Sequence, residues 1–509
     1  MSVRIFSASI TGIDAQLIEV EVDSTPGLHS FNIVGLPDKA VEESKERIAS
    51  AIRNNNLLPP SAKHKKIIIN LAPADIRKEG PAYDLPIAVG YLLETGQIKF
   101  DSSKKLFLGE LSLDGQVKTV NGVLSVALLA HKLGFKEVLV PSANAFEAAV
   151  VDGVTVIGIA TIQELINHLS GIAPLKPTVF DKSARVLLED EGESFRLIKG
   201  QEAAKRALAV AAAGGHNVIM SGPPGSGKTL LAKALLDLMP PLIFNEAVEV
   251  TKIYSAMGMG NGSLMSVRPF RSPHHTTSAP AMVGGGTNPK PGEISLSHRG
   301  VLFLDELPEF PRSVLESLRE PLQEGVITVS RTSGSATLPA KFTLAAAMNP
   351  CPCGNYGSQK ACLCSPASVL NYRKKISGPI LDRIDIQVHV PRETQIDGEP
   401  MTKESFDQLK SQIIGARALQ QKRFAKASIY TNSEINYKNI DKWCVLTNSA
   451  EMFLRQTLEN KGLSLRSYHK IKKLGRTIAD LDGSELIEEN HIAQAVALNV
   501  NDQFMAEFA

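Results

Sequence analysis

The sequence is poor in cysteine and in net charge, and it has no long apolar run; each shortage excludes a class of protein. Five cysteines among 509 residues are too few for a disulfide framework. A net charge of +2 does not by itself indicate a nucleic-acid partner, so any such contact must come from a local patch. No apolar run approaches the roughly 18 residues of a membrane span, and no signal peptide is recognisable. We therefore expect a cytoplasmic protein without a membrane partner.

What is present is typical of a folded protein with several domains. Hydrophobic residues make up 43% of the chain and charged residues 21%. A chain of 509 residues exceeds what one hydrophobic core usually organises. The pattern of apolar strands and amphipathic helices predicts an α/β domain at 1–170, a linker at 171–187, a second α/β domain at 188–398 and a helical lid at 399–509. The second domain is predicted to contain a doubly wound parallel sheet.

Several predicted elements are specific enough to be compared with a structure. Segments 301–304 and 342–347 are apolar without alternation, as strands buried on both faces of a parallel sheet should be. A β-hairpin is expected at 326–338. Lid helices are expected at 403–424, 440–460, 464–481 and 485–498.

A glycine-rich segment between an apolar strand and a helix predicts a phosphate-binding loop. Its residues are Gly222, Pro223, Pro224, Gly225, Ser226, Gly227, Lys228 and Thr229. Glycines let backbone N–H groups converge on phosphates, Lys228 offers a positive charge, and the Thr229 hydroxyl is a ligand for Mg²⁺. An accidental glycine turn is the alternative, but the context of strand, turn and helix favours ATP and Mg²⁺ as ligands.

Two acids and an amide follow the next predicted strands. Asp305 is placed to hold Mg²⁺, and Glu306 to activate the attacking water as a general base. Asn349 follows the third strand, where its amide would orient the same water. Alone, an acid after a strand is often a helix cap, and an Asn before Pro is often a turn residue. Their order after Lys228 favours catalytic roles.

The remaining motif is a cluster of four cysteines within 14 residues: Cys351, Cys353, Cys362 and Cys364. Four thiolates suit tetrahedral Zn²⁺, and a site closed by four protein ligands is structural rather than catalytic. The C-x-C spacing is shorter than the usual C-x₂-C. Reduced cysteines without a metal are therefore the alternative.

Together these motifs resemble those of AAA+ ATPases, and more narrowly the magnesium-chelatase-like ATPases of the ComM/YifB family. The wider resemblance includes GPILDRID at 378–385. The narrower one rests on PFRSPHHTT at 269–277, PGEISLSHRG at 291–300 and NPCPCG at 349–354. It covers nearly the whole chain, and it implies subunits that close into a homohexameric ring with ATP at each interface.

In such rings an arginine of one subunit completes the nucleotide site of its neighbour, and Arg383 matches that position. Its charge would stabilise the γ-phosphate in the transition state. Arg466, at the start of a lid helix, resembles a second arginine that senses the nucleotide. Surface pairing with Asp382 or Asp385 is the alternative for Arg383, and incidental exposure is the alternative for Arg466.

Two insertions resemble pore elements of related helicases. Arg331 in the predicted hairpin is the first candidate for a DNA contact, and Arg271 and Lys290 in the segment 253–299 are further candidates. Basic groups can follow a phosphate backbone irrespective of sequence, and the scarcity of aromatic residues favours backbone contact over base stacking. A solvated loop with incidental charge is the alternative.

The first domain resembles the proteolytic domain of Lon, through residues 78–84 and 121–141. The nucleophile and base positions of that domain correspond here to Ala82 and Leu124. Alanine lacks the hydroxyl and leucine lacks the amine that acyl chemistry needs. We therefore predict no peptidase activity.

The resemblance implies an ATP-hydrolysing ring motor that acts on single-stranded or branched DNA. It would be a translocase or helicase in branch migration during natural transformation and recombination. The alternative is a chelatase-type ATPase that remodels a protein partner for metal insertion. The Lon-like domain, in place of a chelatase partner module, favours the DNA motor, and stimulation of ATP hydrolysis by DNA would distinguish the two.

Overall fold

The computed structural model describes residues 2–62, 64–181, 192–286, 289–331, 334–356, 360–392, 401–427 and 429–499, without the side chains of 330–335. Within these residues no helix is both long and apolar enough to cross a membrane. The chain is a mixed α/β structure that ends in a helical region.

The amino-terminal region is built on a mixed sheet flanked by helices. Its elements are β1 (Val3–Thr11), β2 (Asp14–Pro26), β3 (Ser30–Val34), α1 (Lys39–Asn54), β4 (Lys65–Ala72), α2 (Asp84–Glu94), β5 (Lys105–Phe107), β6 (Glu110–Leu111), β7 (Val117–Lys118), α3 (Val123–Leu133), β8 (Glu137–Pro141), α4 (Ala145–Ala148), β9 (Thr155–Ile159) and α5 (Ile162–Leu169). Seven strands pair in the order β3-β4-β2-β1-β5-β8-β9. Strand β4 alternates buried and partly exposed residues, with Ile67, Ile69 and Leu71 facing the core.

The middle of the chain folds around a five-stranded parallel sheet. Its elements are α6 (Glu193–Arg196), α7 (Glu202–Gly214), β10 (Val218–Ser221), α8 (Lys228–Leu238), α9 (Phe244–Ala256), β11 (Phe270–Arg271), α10 (Ala279–Val283), β12 (Gly284–Gly285), β13 (Lys290–Pro291), α11 (Glu293–Leu296), β14 (Val301–Leu304), α12 (Arg312–Ser317), α13 (Arg319–Glu324), β15 (Val326–Arg331), β16 (Gly334–Pro339), β17 (Thr343–Met348), α14 (Pro366–Arg373), α15 (Gly378–Leu381) and β18 (Ile386–His389). The sheet order is β11-β14-β17-β10-β18, and every pair is parallel. All residues of β14 and β17 are buried, which confirms the predicted parallel sheet.

The predicted hairpin is confirmed as β15 and β16, which pair from Val326 opposite Pro339 to Arg331 opposite Gly334. Its base is part of the core, because Ile327 and Leu338 are buried. They share an apolar cluster with Ile13, which lies in the turn between β1 and β2. The amino-terminal region therefore packs directly against the base of the hairpin.

The carboxyl-terminal region consists of helices, as predicted, but one predicted helix is broken. The helices are α16 (Lys403–Arg423), α17 (Ile440–Trp443), α18 (Asn448–Lys461), α19 (Leu465–Leu481) and α20 (Glu489–Asn499). The chain leaves the predicted helix at 440–460 after Trp443, because Leu446 forms a bridge with Ile487. Thr447 then caps α18 by accepting the N–H of Ala450. Because of the same bridge, the last helix begins at Glu489 and not at the predicted residue 485.

A buried polar network fixes the helical region to the parallel sheet. The ring of His216 lies 3.2 Å from Asp385 Oδ2 and 2.8 Å from Thr477 Oγ1. Asn432 donates to Thr477 Oγ1 at 3.1 Å and to Asp480 Oδ2 at 2.8 Å. Burial alone would raise the pKa of Asp385, but hydrogen bonding and attraction to His216 lower it below its ordinary value.

Candidate nucleotide site

The phosphate loop joins β10 to α8 and has the open backbone that a phosphate requires. Gly225 and Gly227 have φ values of +76° and +88°, and a Cβ on either would meet nothing within 4 Å. Only glycine adopts this conformation readily. Ser226 Oγ is buried and has no hydrogen-bond partner among the described residues. The loop thus has open space beside two of its glycines and a buried hydroxyl without a described partner, which fits a bound phosphate chain.

Lys228 begins α8, and its ammonium group lies between the loop and β17. Nζ donates to the carbonyl oxygens of Gly222 at 2.7 Å and Pro223 at 2.9 Å, and to Asn349 Oδ1 at 3.3 Å. Burial lowers the pKa of Lys228, and the nearby carboxylates partly oppose that shift. Because a charged ammonium is costly to bury, a phosphate would be a strongly favoured partner here.

The two predicted magnesium ligands are in contact. Thr229 Oγ1 donates to Asp305 Oδ2 at 3.2 Å. Their strands β10 and β14 are separated in the sheet only by β17, so their carboxyl ends open at the same edge. A hydroxyl and a carboxylate oxygen fit Mg²⁺, which prefers oxygen ligands.

Glu306 has an unusual backbone conformation for a residue with a side chain, with φ +52° and ψ +48°. Such strain persists mainly at functional sites, where the surrounding structure enforces it. Its side chain does not cap the short helical turn that follows, and its N–H donates to Asp305 Oδ1 at 2.9 Å. The carboxylate is half exposed and 3.5 Å from His275 Nδ1. Glu306 is therefore open to solvent water rather than used as a cap.

His275 was not among the sequence-derived site residues. It belongs to the segment 269–277, whose sequence gave no indication of an approach to Glu306. The rings of His274 and His275 lie with their centroids 4.1 Å apart and their planes tilted by 34°. The only sign of this contact in the sequence is a pair of adjacent histidines, three residues after Arg271.

Arg383 and Arg466 lie in one arginine-rich patch. Arg466 Nη1 pairs with Asp382 Oδ2 at 3.0 Å, while Arg383 donates to Pro379 O at 2.6 Å and to Gln323 Oε1 at 2.5 Å. Burial lowers the pKa of Arg383, and repulsion from Arg466 adds to that effect. No described contact joins either arginine to the phosphate loop. Of the two acids proposed as partners for Arg383, Asp382 binds Arg466 and Asp385 binds His216.

The four cysteines converge beside the phosphate loop. Cys351 Sγ lies 3.4 Å from Cys353 Sγ and 3.7 Å from Cys362 Sγ, and all four sulfurs, including that of Cys364, lie within 4.8 Å of one another. Tetrahedral Zn²⁺ with bonds of about 2.3 Å places its sulfurs roughly 3.8 Å apart. The cluster therefore has the dimensions of a zinc site.

The three candidate DNA contacts have different surroundings. Lys290 in β13 is exposed. Arg331 ends β15 next to the hairpin turn, and its side chain lies outside the description. Arg271 in β11 is engaged by both oxygens of Glu293 at 2.7 and 2.8 Å. Because this bidentate pair is half buried, Arg271 is already occupied, which leaves Lys290 and Arg331 as the better candidates.

The two positions that correspond to the protease nucleophile and base lie in one apolar cluster. Leu124 is buried and Ala82 packs against the same group of side chains. The Leu124 N–H donates to the buried carboxylate of Glu147 at 3.0 Å. Neither Ala82 nor Leu124 has a hydroxyl or an amine, so these two positions cannot supply the nucleophile and the base of a protease site.

A separate cavity of about 760 Å³ lies between α9, the base of the hairpin and the helical region. Arg299 crosses it, bound to Glu249 at 2.7 Å and Glu434 at 3.3 Å, with its guanidinium 4.5 Å from the ring of Tyr430. Lys341, just after β16, pairs with Glu434 at 2.7 Å. These charges connect the hairpin to the helical region at a distance in the fold from the phosphate loop, none of whose residues lines the cavity.

Because of this network, the free energy of unfolding should depend on pH. Burial alone would raise the pKa of Glu249, but hydrogen bonds from His298 and Arg299 lower it to about 2. A carboxyl whose folded pKa is depressed contributes stability above its unfolded pKa and loses it as pH falls. We expect the free energy of unfolding, measured with urea, to fall between about pH 5 and pH 2.5, and Glu249→Gln to make that fall shallower. The exposed Glu459→Gln variant is the control, and an equal change in it would contradict the assignment.

Comparison with known families agrees with this geometry. A family model described as "Magnesium chelatase, subunit ChlI" matches residues 194–397. A model described as "Subunit ChlI of Mg-chelatase" matches residues 20–144, and one described as "Magnesium chelatase, subunit ChlI C-terminal" matches residues 403–499. Together the three models account for most of the chain.

Whole-length relatives narrow the family further. The chain is 40% identical to "Competence protein ComM" of Haemophilus influenzae, over 97% of this chain and 96% of that protein. It is also 40% identical to "Uncharacterized protein YifB" of Escherichia coli K12, over the same shares of each chain. A stretch of 168 residues is 27% identical to "Lon protease 2" of Bacillus subtilis, over 30% of this chain and 29% of that one. The chain therefore belongs to the ComM/YifB family of magnesium-chelatase-like AAA+ ATPases.

Proposed function

We propose that this protein is a ring-forming motor that hydrolyses ATP and uses the energy to move along or remodel DNA. The observation that carries the ATPase part is the meeting of Lys228 with Asn349 and of Thr229 with Asp305 at one edge of the parallel sheet. Phosphoryl transfer needs mainly positioning and charge stabilisation, and this edge supplies the groups for both.

Each residue has a role that its surroundings support. Lys228 exchanges its carbonyl partners for the β and γ phosphates, and the backbone N–H groups of residues 225–229 surround the phosphate chain. Glu306 accepts a proton from the attacking water, and Asn349 orients that water. Thr229 and Asp305 would hold Mg²⁺, which neutralises phosphate charge when bound.

The arginine-rich patch supports assembly into a homohexameric ring. Arg383 and Arg466 have no described contact with their own phosphate loop, and among the described residues Arg383 pairs with no carboxylate and bonds only to Pro379 O and Gln323 Oε1. An arginine whose charge is not neutralised by a carboxylate can stabilise the γ-phosphate of a neighbouring subunit. Hydrolysis would then depend on assembly.

The hairpin and its surroundings support DNA as the substrate of the motor. A Cβ on Gly12, in the turn between β1 and β2, would lie 3.3 Å from Ala336 Cβ and 3.7 Å from Pro289 O. That turn therefore lies between the hairpin that carries Arg331 and the segment that carries Lys290. Basic residues on two segments that meet at one turn suit a phosphate backbone. We propose that the motor acts in branch migration when incoming DNA recombines, in keeping with the description of one relative as a competence protein.

We propose a structural Zn²⁺ held by the four cysteines, because their sulfurs have the spacing of a tetrahedral site. We also propose that the chain divides into a Lon-like domain without peptidase activity at 1–170, a linker at 171–187, the ATPase core at 188–398 and the lid at 399–509.

The test is steady-state ATP hydrolysis by the purified protein, with and without single-stranded and forked DNA. We expect DNA to stimulate hydrolysis, and the stimulation to weaken when salt rises from about 50 to 200 mM, because phosphate contacts are salt-dependent. Arg331→Ala should reduce the stimulation while leaving hydrolysis without DNA unchanged. Arg455→Ala, which removes an exposed arginine of α18, is the matched control.

The outcomes separate the two functions. Hydrolysis that is indifferent to every DNA tested would leave the ATPase intact and favour a motor that remodels a protein partner. Equal loss of stimulation in the Arg331 and Arg455 variants would show a general effect of surface charge, and would remove the hairpin from the DNA-binding role.

A further inference from the structure

The cysteine cluster and the phosphate loop are in direct contact at Gly354. This glycine has φ +77°, and a Cβ on it would lie 2.5 Å from Pro224 Cδ and 2.6 Å from Pro224 Cγ. Its N–H donates to Cys351 O at 3.0 Å. Since atoms so close would have to move apart, only glycine fits between the cluster and the loop.

A second contact joins the same two segments. Asn349, two residues before Cys351, accepts a hydrogen bond from Lys228 Nζ at 3.3 Å. The segment 349–354 therefore meets the phosphate loop at Pro224 and at Lys228, on either side of Gly225 and Gly227. A displacement of this segment would disturb both the loop and the lysine.

The other side of the cluster is fixed to α14. Arg373 is buried, and its Nε donates to Pro350 O at 3.1 Å. Its guanidinium lies 4.8 Å from the ring centroid of Tyr356, whose N–H donates to Cys351 Sγ at 3.3 Å. Cys364 directly precedes Ser365, the cap of α14. The segment that carries the four sulfurs thus contacts α14 on one side and the phosphate loop on the other.

The backbone of the segment that carries the cysteines is irregular where the structure describes it. Among the described residues of 349–364 there is neither helix nor strand. Four thiols without a cation make only weak hydrogen bonds, whereas four thiolates on one cation form a rigid crosslink. A cation on the four sulfurs would therefore add a rigid crosslink to these contacts and fix the position of Gly354.

We infer that a thiophilic cation such as Zn²⁺, bound by the four cysteines, holds Gly354 against Pro224 and keeps the phosphate loop in the form that binds ATP. Occupancy of the cysteine site would then set the affinity of the nucleotide site. The inference rests on the proposed function of residues 222–229, and it gives the structural metal a regulatory role. The metal itself takes no part in hydrolysis.

The experiment compares metal content with ATP affinity in the full-length chain. Metal is measured by mass spectrometry and by the visible absorption of the Co²⁺-substituted protein, which reports tetrahedral thiolate ligands. ATP affinity is measured by calorimetric titration in the presence of Mg²⁺. The variants are Cys353→Ser, which removes a ligand, Gly354→Ala, which removes the fit against Pro224, and Cys444→Ala, which removes a cysteine of the helical region as a control.

We expect one Zn²⁺ per chain in the wild type and in the Gly354→Ala and Cys444→Ala variants, and less in Cys353→Ser. ATP affinity should fall roughly tenfold or more in both Cys353→Ser and Gly354→Ala, because misplacement of a binding group by about 1 Å has effects of this size. A zinc-selective chelator applied to the wild type should weaken ATP binding in the same way, and added Zn²⁺ should restore it. This reversible arm does not depend on how well a variant folds.

Each of the other outcomes would overturn the metal site, the coupling or the proposed function. Wild-type protein that carries no thiophilic metal and gains none from added Zn²⁺ would overturn the metal site. Metal that binds, with ATP affinity unchanged by the chelator and by Gly354→Ala, would overturn the coupling and leave the proposed ATPase intact. Metal-loaded wild type that binds no ATP would overturn the proposed function itself.

Discussion

Replacement of Glu306 by glutamine should leave ATP binding intact and stop its turnover. Glutamine has nearly the same shape but cannot accept the proton of the attacking water, and loss of a general base costs about 10²–10⁴-fold in rate. Lys228, Thr229 and Asp305, which would hold the nucleotide, keep their contacts in this variant. The measurement is the rate of phosphate release at saturating ATP, together with the dissociation constant for ATP.

The control for this prediction is Glu309→Gln, three residues further along the same segment. Glu309 pairs with Lys375 at 3.0 Å and is half exposed, so its loss alters the local charge without removing the candidate base. We expect its hydrolysis rate to remain close to that of the wild type. Rapid hydrolysis by Glu306→Gln would remove Glu306 from the role of base, and an equal loss in both variants would indicate a general effect of charge.

The central part of this site was predictable because parallel strands open at a common edge. Once strands were placed before Gly222, Asp305 and Asn349, the geometry of a parallel sheet brought the residues that follow them together. The structure places Asn349 against Lys228 and Asp305 against Thr229, as that argument requires. The prediction needed only the positions of the strands, and local apolar patterns in the sequence indicate these positions.

What the sequence did not reveal depends on partners far away in the chain. The bridge between Leu446 and Ile487 interrupts a helix that local periodicity predicts, because a long-range backbone pairing outweighs a weak local preference. The ion pair of Arg271 with Glu293 converts a candidate DNA contact into a half-buried structural pair. Such pairings are decided by tertiary packing, to which spacing and composition give no access.

The contact between Gly354 and Pro224 illustrates the same limit at the site itself. The two residues are 130 positions apart in the sequence, and no spacing rule relates a cysteine motif to a phosphate loop. The positive φ of Gly354 and the narrow fit against Pro224 become visible only in three dimensions. The C-x-C motif could therefore be assigned a metal from sequence, but not a neighbour.

Replacement of Arg383 by alanine should abolish most hydrolysis, and the loss should be repairable by a second, different variant in the same ring. An arginine supplied to the γ-phosphate by a neighbouring subunit is worth about 10³–10⁵ in rate. Subunits with Arg383→Ala keep Glu306, and subunits with Glu306→Gln keep Arg383. If the arginine acts across the interface, about one quarter of the interfaces in a randomly mixed ring contain both intact groups. The mixture should therefore hydrolyse ATP far faster than either variant alone.

Mixed assembly is verified by co-purification through a tag on one variant, and Arg455→Ala serves as the arginine control, with hydrolysis expected near that of the wild type. Mixed rings that remain as inactive as their parents would show that Arg383 does not act in the neighbouring site, and would leave its bonds to Pro379 and Gln323 as its role.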